Sequence, residues 1–310
     1  MSFPKILFTA AFVLFAIIGV SAAFKKFSKK EIVPAIQQEV KVVKLPEVSS
    51  EPFQIAGDFP DIDRIYQLFT TGPSKLPIVE TISYTSQVSW LKGRPAWIGD
   101  YASYYATSKH FIARSLNGKP DYENQKVTPN SQFNVFRKDR NFQFYLLVDV
   151  SLCKMGFYYI DLDTKERVLL KTYKIGLGKL SQTGSLTPLG KYNLGSKVAV
   201  YKPGVTGLYR DKQIEMMRVF GTRWIPLEQG SEVKGYGIHG TPWEENSKTH
   251  QLIDNQVGIG KYESQGSIYL KTEDMEELFA IVISKPAVIE VVQHFKDAKL
   301  PGVEVASPMR

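Results

Sequence analysis

Two segments in the C-terminal half of the chain carry the side chains best suited to chemistry. Residues 236–243 read YGIHGTPW, and residues 262–279 read YESQGSIYLKTEDMEELF. A histidine before glycine at an expected strand end, and a Gly-Ser pair that opens toward a helix, suit a general base and a nucleophile. The pattern makes His239 and Ser267 candidate catalytic residues, against the alternative that a histidine beside glycine is more often structural.

The other histidines do not extend this pair into a metal site. His250 follows His239 by eleven residues, and no third ligand stands at metal-binding spacing. His110 and His294 lie in apolar-patterned segments, which favours structural roles for both. We expect neither a metal nor a cofactor.

The elements that would position His239 and Ser267 are mainly strands. From Phe142 onward QFYLLVDV, GFYYIDLD and RVLLKTYKIG are β-prone runs separated by turn-forming residues. One helix is expected after Ser267, with Thr272 as its N-cap and Pro286 beyond its end. Its apolar stripe consists of Met275, Leu278, Phe279 and Val282. The segment AVIEVV then predicts a late strand.

Residues 59–141 predict a small α/β accessory region without catalytic spacing. A short helical pattern precedes the β-prone run IVETISYTSQVSWL, and residues 97–116 have a helical pattern that ends at Asn117 and Gly118. The aromatic and apolar residues of this helix fit a hydrophobic core better than a binding face. They are Tyr101, Tyr104, Tyr105, Phe111 and Ile112.

The N-terminus predicts an exported chain. Residues 6–23 contain no charge, and 18 helical residues span about 27 Å, enough for a membrane core. Small residues at its end also fit a cleavable signal. Residues 1–23 are therefore expected to be a signal peptide or a membrane anchor, residues 24–58 a tether, and residues 301–310 a tail. The expected location is the cell envelope or periplasm.

The composition excludes several classes of protein. A hydrophobic fraction of 43% excludes a disordered chain. The net charge is +8 over 310 residues, and +4 of it belongs to the first 50 residues, so the remainder does not predict a nucleic-acid partner. The single cysteine, Cys153, excludes an intramolecular disulfide and a cysteine-rich metal site.

Several ordered blocks make residues 142–300 resemble the catalytic domain of the YkuD-type L,D-transpeptidases. TGSLTPLGKYNLG at 183–195 is similar to the TP-x-G block of the family, IHGT at 238–241 to its His-Gly-Thr block, and SQGSIYLKTEDMEELF to its signature before a helix. The resemblance implies a mainly β domain in which a cysteine thiolate attacks a peptidoglycan stem peptide between a meso-diamino acid and D-alanine. An acceptor amine then releases the acyl-enzyme as a cross-link.

The chain departs from the family signature at three positions. Ser267 stands where the family has its nucleophilic cysteine, Gln265 where it has a histidine, and Tyr269 where it usually has arginine. By resemblance, His239 remains as the base. The residues expected to bind substrate are Gly240, Thr241, Ser264, Gln265, Gly266 and Tyr269. A serine hydroxyl has no ionised fraction comparable to that of a thiol, so its reactivity depends on removal of its proton by a base.

Three interpretations follow from these departures. The first is an envelope protein that binds stem peptides with impaired or lost catalysis. The second is an active acyltransferase in which His239 activates Ser267. The third is a structural envelope protein without affinity for wall peptides. A hydrogen bond between Ser267 Oγ and a ring nitrogen of His239 would favour the second interpretation over the first.

Overall fold

The computed structural model describes residues 60–117, 127–228 and 235–305. The expected membrane or signal segment at 6–23 and the tether at 24–58 lie outside these residues. Within the described ranges no helix has the length and apolar character needed to cross a membrane. The described residues other than 208–213 group into one compact unit.

The described chain is mainly β, as the sequence predicts. Its α-helices are α1 (Tyr66–Phe69), α2 (Ile98–Tyr104), α3 (Lys109–Asn117), α4 (Met217–Phe220) and α5 (Thr272–Val282), and a short 3-10 helix spans Phe295–Asp297. The strands of the first half are β1 (Val79–Ser83), β2 (Gln132–Phe136), β3 (Phe142–Asp149), β4 (Lys154–Asp161), β5 (Glu166–Lys174), β6 (Leu177–Gly178), β7 (Leu180–Ser181), β8 (Gly184–Ser185), β9 (Gly190–Leu194) and β10 (Ala199–Val200). Those of the second half are β11 (Thr206–Tyr209), β12 (Lys212–Glu215), β13 (Arg223–Glu228), β14 (Gly237–Gly240), β15 (Trp243–Glu245), β16 (Leu252–Asp254), β17 (Tyr262–Ser264), β18 (Ile268–Leu270), β19 (Ala287–Val292) and β20 (Val303–Glu304).

One large sheet contains most of the long strands. Its order is β18-β14-β13-β9-β19-β3-β4-β5-β20, with β10 paired to β13. The pairs β14–β18, β3–β19 and β5–β20 are parallel, and the other pairs in the sheet for which the register is resolved are antiparallel. The parallel pair β14–β18 joins the two segments that carry His239 and Ser267.

Both faces of the sheet are covered, which explains why residues 144–148 of β3, FYLLV, form a continuous run of apolar and aromatic residues. Phe144, Leu146 and Val148 face the main core, whereas Tyr145 and Leu147 face a second cluster that includes Leu300 from the C-terminal segment. Alternate side chains of a strand point to opposite faces, so a strand buried on both faces needs a continuous apolar run.

Helix α5 closes the main core over the strands of the site. The apolar stripe expected from the sequence is confirmed, and all of its residues are buried: Met275, Leu278, Phe279 and Val282. Thr272 is the first residue of the helix rather than its N-cap, which is Lys271. The Thr272 hydroxyl instead accepts a hydrogen bond from Trp243 Nε1 at 3.2 Å. The strand expected after Pro286 is β19.

The helix expected over 97–116 is divided into α2 and α3. The backbone of Ala106 has a φ of 44°, which ends the first helix. The Ser108 hydroxyl then accepts a hydrogen bond from the backbone N–H of Phe111 at 2.9 Å, as an N-cap does, and donates to the carbonyl of Ala280 in α5. Ser108 therefore starts a new helix and attaches it to the helix that follows Ser267.

Residues 60–117 and 127–136 pack partly around their own apolar cluster. Tyr101, Ile112 and Phe133 are buried in it, whereas Phe111 is buried in the main core. The core interpretation is confirmed for Tyr101, Phe111 and Ile112, but Tyr104 is exposed. The domain boundaries at 59–141 and 142–300 stay a prediction.

Candidate functional site

His239 lies in the middle of an aromatic stack that runs across three strands. The register places Trp224 of β13 and Tyr269 of β18 on either side of it. The ring centroids of Trp224 and Tyr269 each lie 5.8 Å from that of His239, with interplanar angles of 24° and 26°. Phe220 of α4 adds an edge contact at 5.6 Å. The imidazole is therefore held by packing on three sides.

The protonation state of His239 follows from one hydrogen bond. Nδ1 lies 2.7 Å from the carbonyl oxygen of Gly240. Because a carbonyl oxygen only accepts, Nδ1 carries the proton and Nε2 keeps its lone pair. Burial lowers the pKa of His239 to about 4, and the hydrogen bond to Gly240 offsets only part of this effect. His239 is therefore a neutral imidazole at pH 7, with Nε2 in the form that a general base requires.

Ser267 ends a tight turn. The Ser264 hydroxyl donates to the carbonyl oxygen of Ser267 at 2.6 Å and accepts from the backbone N–H of Gly266 at 3.0 Å. The φ of Gly266 is +115°, and a Cβ there would overlap the ring of Tyr236, so the turn requires glycine. Since the N–H of Gly266 already has a partner within the turn, it is not free to stabilise an oxyanion.

The Ser267 hydroxyl makes no hydrogen bond to the candidate base within the described part of the chain. Ser267 is half-buried, and among the described residues we find no hydrogen bond from its Oγ to His239 or to any other group. Ser267 directly precedes β18, and Tyr269 of that strand is the residue in register with His239. The fold thus brings the segments of the predicted pair together without a hydrogen bond between the two side chains.

Tyr269 occupies the sequence position at which the family signature usually has arginine. Its ring lies over Gly176, where an added Cβ would overlap it, and its hydroxyl lies against Gly258, where an added Cβ would also clash. Burial, together with the carboxylate of Glu263, raises the pKa of Tyr269 to about 12. The side chain is therefore neutral at pH 7, and it supplies no positive charge for a substrate carboxylate.

Gly240 and Thr241 lie where β14 ends, before the hairpin formed by β15 and β16. Thr241 is completely buried, its Oγ1 donates to the carboxylate of Asp254, and its backbone N–H donates to the carbonyl of Leu270 at 2.8 Å. The backbone of Gly221 packs so closely against Gly240 and Thr241 that an added Cβ would clash with both. Thr241 thus connects β14 to the β15–β16 hairpin.

The TP-x-G block and the residue before it pack against the turn that ends at Ser267. The Thr187 hydroxyl is buried and accepts a hydrogen bond from the backbone N–H of Gly178 at 2.8 Å. Gly178 also lies so close to Gly266 that a Cβ would approach its Cα at 2.9 Å. Gln265 is exposed at the outer side of the turn. The substrate-binding roles assigned to the residues of the turn stay predictions.

Sequence reasoning missed Trp224 and Phe220. The alternation in RWIPLE places Trp224 on the face opposite to the buried Ile225 and Leu227, but only the pairing with β14 puts it beside His239.

Cys153 lies in the turn between β3 and β4, where its φ is +50°. Burial raises the pKa of its thiol, which keeps it protonated at pH 7. The described residues contain no cluster of His, Cys, Asp and Glu that would hold a metal.

Comparison with known proteins identifies one domain. Residues 143–291 match the family profile of the YkuD-type L,D-transpeptidase catalytic domain. No curated protein matches the chain. Among solved structures, the helical cell shape determining protein Pgp2 from Campylobacter jejuni is 16% identical with a TM-score of 0.34, covering 53% of this chain and 51% of Pgp2. Bd1075 from Bdellovibrio bacteriovorus is 15% identical with a TM-score of 0.34, covering 49% of this chain and 48% of Bd1075. The chain thus spans about half the length of these structures.

Proposed function

Since the chain belongs to the YkuD-type L,D-transpeptidase family through residues 143–291, we propose that it binds peptidoglycan stem peptides and has impaired or lost transpeptidase activity. The observation that carries the proposal is that, among the described residues, no hydrogen bond joins Ser267 Oγ to His239. Without a hydrogen bond to a base, a serine hydroxyl keeps its proton and is a poor nucleophile.

The charges around Ser267 support the same proposal. Gln265 and Tyr269 are neutral at pH 7, whereas a histidine and an arginine would supply positive charge beside a substrate carboxylate. The N–H of Gly266 donates to Ser264 Oγ instead of to an oxyanion. Each of these features removes stabilisation from a tetrahedral intermediate.

His239 supports one alternative, an active acyltransferase. Its Nε2 has a lone pair at pH 7 and would accept the proton of Ser267 Oγ if the turn brought the two atoms within hydrogen-bonding distance. Ser267 Oγ would then attack the carbonyl between the meso-diamino acid and D-alanine. D-alanine would leave with a proton, and an acceptor amine would displace the serine from the resulting ester to form the cross-link.

The location follows from the same proposal. A protein that binds peptidoglycan must meet it in the cell envelope, and residues 1–23 have the sequence of a signal peptide or membrane anchor. Residues 24–58 would then tether the folded part to the membrane if the segment is retained. Stem peptides are the proposed partner, and no nucleic acid is expected.

Intact-protein mass spectrometry tests the proposal. The chain is incubated separately with a tetrapeptide donor and with a carbapenem, and the same is done with Ser267→Cys. We expect no adduct on the native protein and a covalent adduct on the variant, because the site of this family is adapted to a thiolate. An adduct on the native protein that disappears in Ser267→Ala would instead establish the serine acyltransferase.

Two controls make this result specific. Cys153→Ser is introduced in both proteins so that the introduced thiol is the sole thiol present; Cys153 is buried with a raised pKa and should not react in either case. Calorimetric titration with the tetrapeptide then measures binding without chemistry. If neither protein binds the tetrapeptide, the proposal is wrong and only a structural role remains.

A further inference from the structure

Trp224 lies along β14, from Gly237 to His239. Trp224 and His239 are in register on β13 and β14, so their side chains lie on the same side of the sheet. Gly237 precedes His239 by two residues, and a Cβ there would meet the Trp224 ring at 2.7 Å. The glycine therefore leaves the space that the indole occupies beside the imidazole.

Trp224 is itself held by its neighbours. The Phe220 ring contacts the indole at an edge, with centroids 4.8 Å apart and an interplanar angle of 65°, and Phe220 stacks in turn on Tyr201 at 6.1 Å. The backbone of Trp224 is paired on both sides, with Ala199 of β10 and His239 of β14. An indole held in this way restricts the rotation of the imidazole that stacks on it.

Nε2 is the nitrogen of His239 that remains available to a ligand. Nδ1 bonds to the carbonyl of Gly240, and Trp224 and Tyr269 lie on either side of the ring. Within the described part of the chain Nε2 has no hydrogen-bond partner, yet it is not one of the side-chain atoms that are both buried and unpartnered. The exposed 6% of His239 therefore includes Nε2.

Two uncharged features set the pKa of this imidazole. Burial lowers the pKa, and the hydrogen bond to Gly240 raises it by a smaller amount. The titratable and charged side chains on the elements packed against the ring are either neutral at pH 7 or paired with other groups. They are Tyr269 on β18, Arg223 with Glu276 on β13, and Arg218 with Glu215 and Glu245 on α4.

We propose that Trp224 is a positioning residue for His239. It keeps the imidazole in one orientation, with Nδ1 on Gly240 and Nε2 on the exposed side, where Nε2 accepts a hydrogen bond from an N–H group of the ligand. That this ligand is a stem peptide rests on the proposed function, whereas the orientation of the ring rests on the stack itself. Without the indole the ring gains a second orientation, and both tautomers become populated.

Heteronuclear NMR of the imidazole nitrogens tests the positioning role without a ligand, with His239→Gln used to assign the signals. In the native chain we expect a single tautomer of His239, protonated at Nδ1. Trp224→Phe keeps a flat ring beside His239 and should retain this tautomer. Trp224→Leu should give averaged nitrogen shifts from both tautomers and raise the pKa of His239 from about 4 toward its ordinary value.

Calorimetric titration with the tetrapeptide measures the consequence for the ligand. At pH 7 the affinity should be about fivefold lower for Trp224→Leu and nearly unchanged for Trp224→Phe, because one hydrogen bond is weakened only in the first variant. Between pH 7 and pH 5 the affinity of Trp224→Leu should fall further as its imidazole is protonated, whereas that of the native chain should not. In a His239→Gln background Trp224→Leu should cause no additional loss.

Trp97→Leu is the matched control, since Trp97 is an exposed tryptophan beside α2 and should leave both the nitrogen signals and the affinity unchanged. Thermal melting identifies variants that unfold, and Trp224→Met replaces Trp224→Leu if the latter does not fold. A single tautomer protonated at Nδ1 in the folded variant would overturn the proposal. So would a further loss of affinity in the His239→Gln background, since Trp224 would then contact the ligand directly.

The two proposals fail in different ways. If the native chain does not bind the tetrapeptide, the proposed function is wrong, while the tautomers of His239 in the Trp224 variants still decide the positioning role. Tetrapeptide binding together with an unchanged tautomer in Trp224→Leu would refute the positioning role alone.

Discussion

At the scale of single residues, the environment of His239 has an energetic consequence. The folded chain keeps the imidazole neutral to about pH 4, whereas an unfolded chain protonates it near its ordinary pKa of 6.5. Between these values the unfolded state binds more protons than the folded state. The free energy of unfolding therefore decreases as the pH falls from about 6.5 to 4.

We expect His239 to make the chain less stable at acid pH by about 3 kcal/mol, the value of a shift of this size. His239→Gln removes the titrating group, so its free energy of unfolding should fall less between pH 7 and pH 4 than that of the native chain. Urea unfolding monitored by circular dichroism at several pH values measures both slopes.

Lys299→Gln is the control for this measurement, because Lys299 is exposed and is not part of the His239 stack. The pH dependence of its free energy of unfolding should match that of the native chain. If His239→Gln also matches the native chain, the imidazole is not buried in the neutral form.

At the scale of elements, the site depends on how closely strands and loops approach one another. Gly176 exchanges two backbone hydrogen bonds with Tyr269, at 2.8 and 3.0 Å, and the Tyr269 ring covers it. Glycine is required there by the ring above it and not by its own backbone, since its φ lies outside the left-handed region. The ring and the glycine therefore form one packing unit.

Gly176→Ala should lower the free energy of unfolding by about 1–3 kcal/mol, because the added methyl group overlaps the Tyr269 ring. In a Tyr269→Ala background the same change should be nearly neutral, so a double-mutant cycle should give a coupling energy of similar size. Urea unfolding of the four proteins measures it. Gly99→Ala, in α2 with no atom near the added Cβ, should not destabilise the chain.

The helices and strands of the site could be predicted from the sequence, but their contacts could not. The stripe of α5 and the strand after Pro286 are local signals, and they lie where the sequence places them. The stack of His239 with Trp224 and Tyr269 depends on the register of three strands that are far apart in the chain. The sequence does not predict the break at Ala106. The residue that caps the next helix, Ser108, is held by a hydrogen bond to the carbonyl of Ala280, which is distant in the chain.

At the scale of the whole molecule, a partly buried ion-pair cluster connects distant parts of the chain. Lys171 of β5 lies 3.3 Å from Asp63, 3.0 Å from Asp274 and 2.8 Å from Glu277. Burial alone would lower the pKa of Lys171, but Glu277 and Asp274 outweigh it and raise that pKa. The cluster joins the start of the described chain, the sheet and α5.

Lys171→Met should lower the free energy of unfolding by about 1.5–3 kcal/mol, because it removes the ammonium group that pairs with the partly buried carboxylates of Asp274 and Glu277. Lys299→Met, which removes an exposed lysine, should change it by less than about 0.5 kcal/mol. Urea unfolding measures both. Equal stability of the two variants would mean that the cluster does not hold these elements together.

The fit of Tyr269 between Gly176 and Gly258 also constrains how such a chain can evolve. While the tyrosine is present, a side chain at either glycine overlaps its ring or hydroxyl and lowers stability. The three positions should therefore change together among homologous sequences. Homologues with a smaller side chain at position 269 should tolerate substitutions at positions 176 and 258.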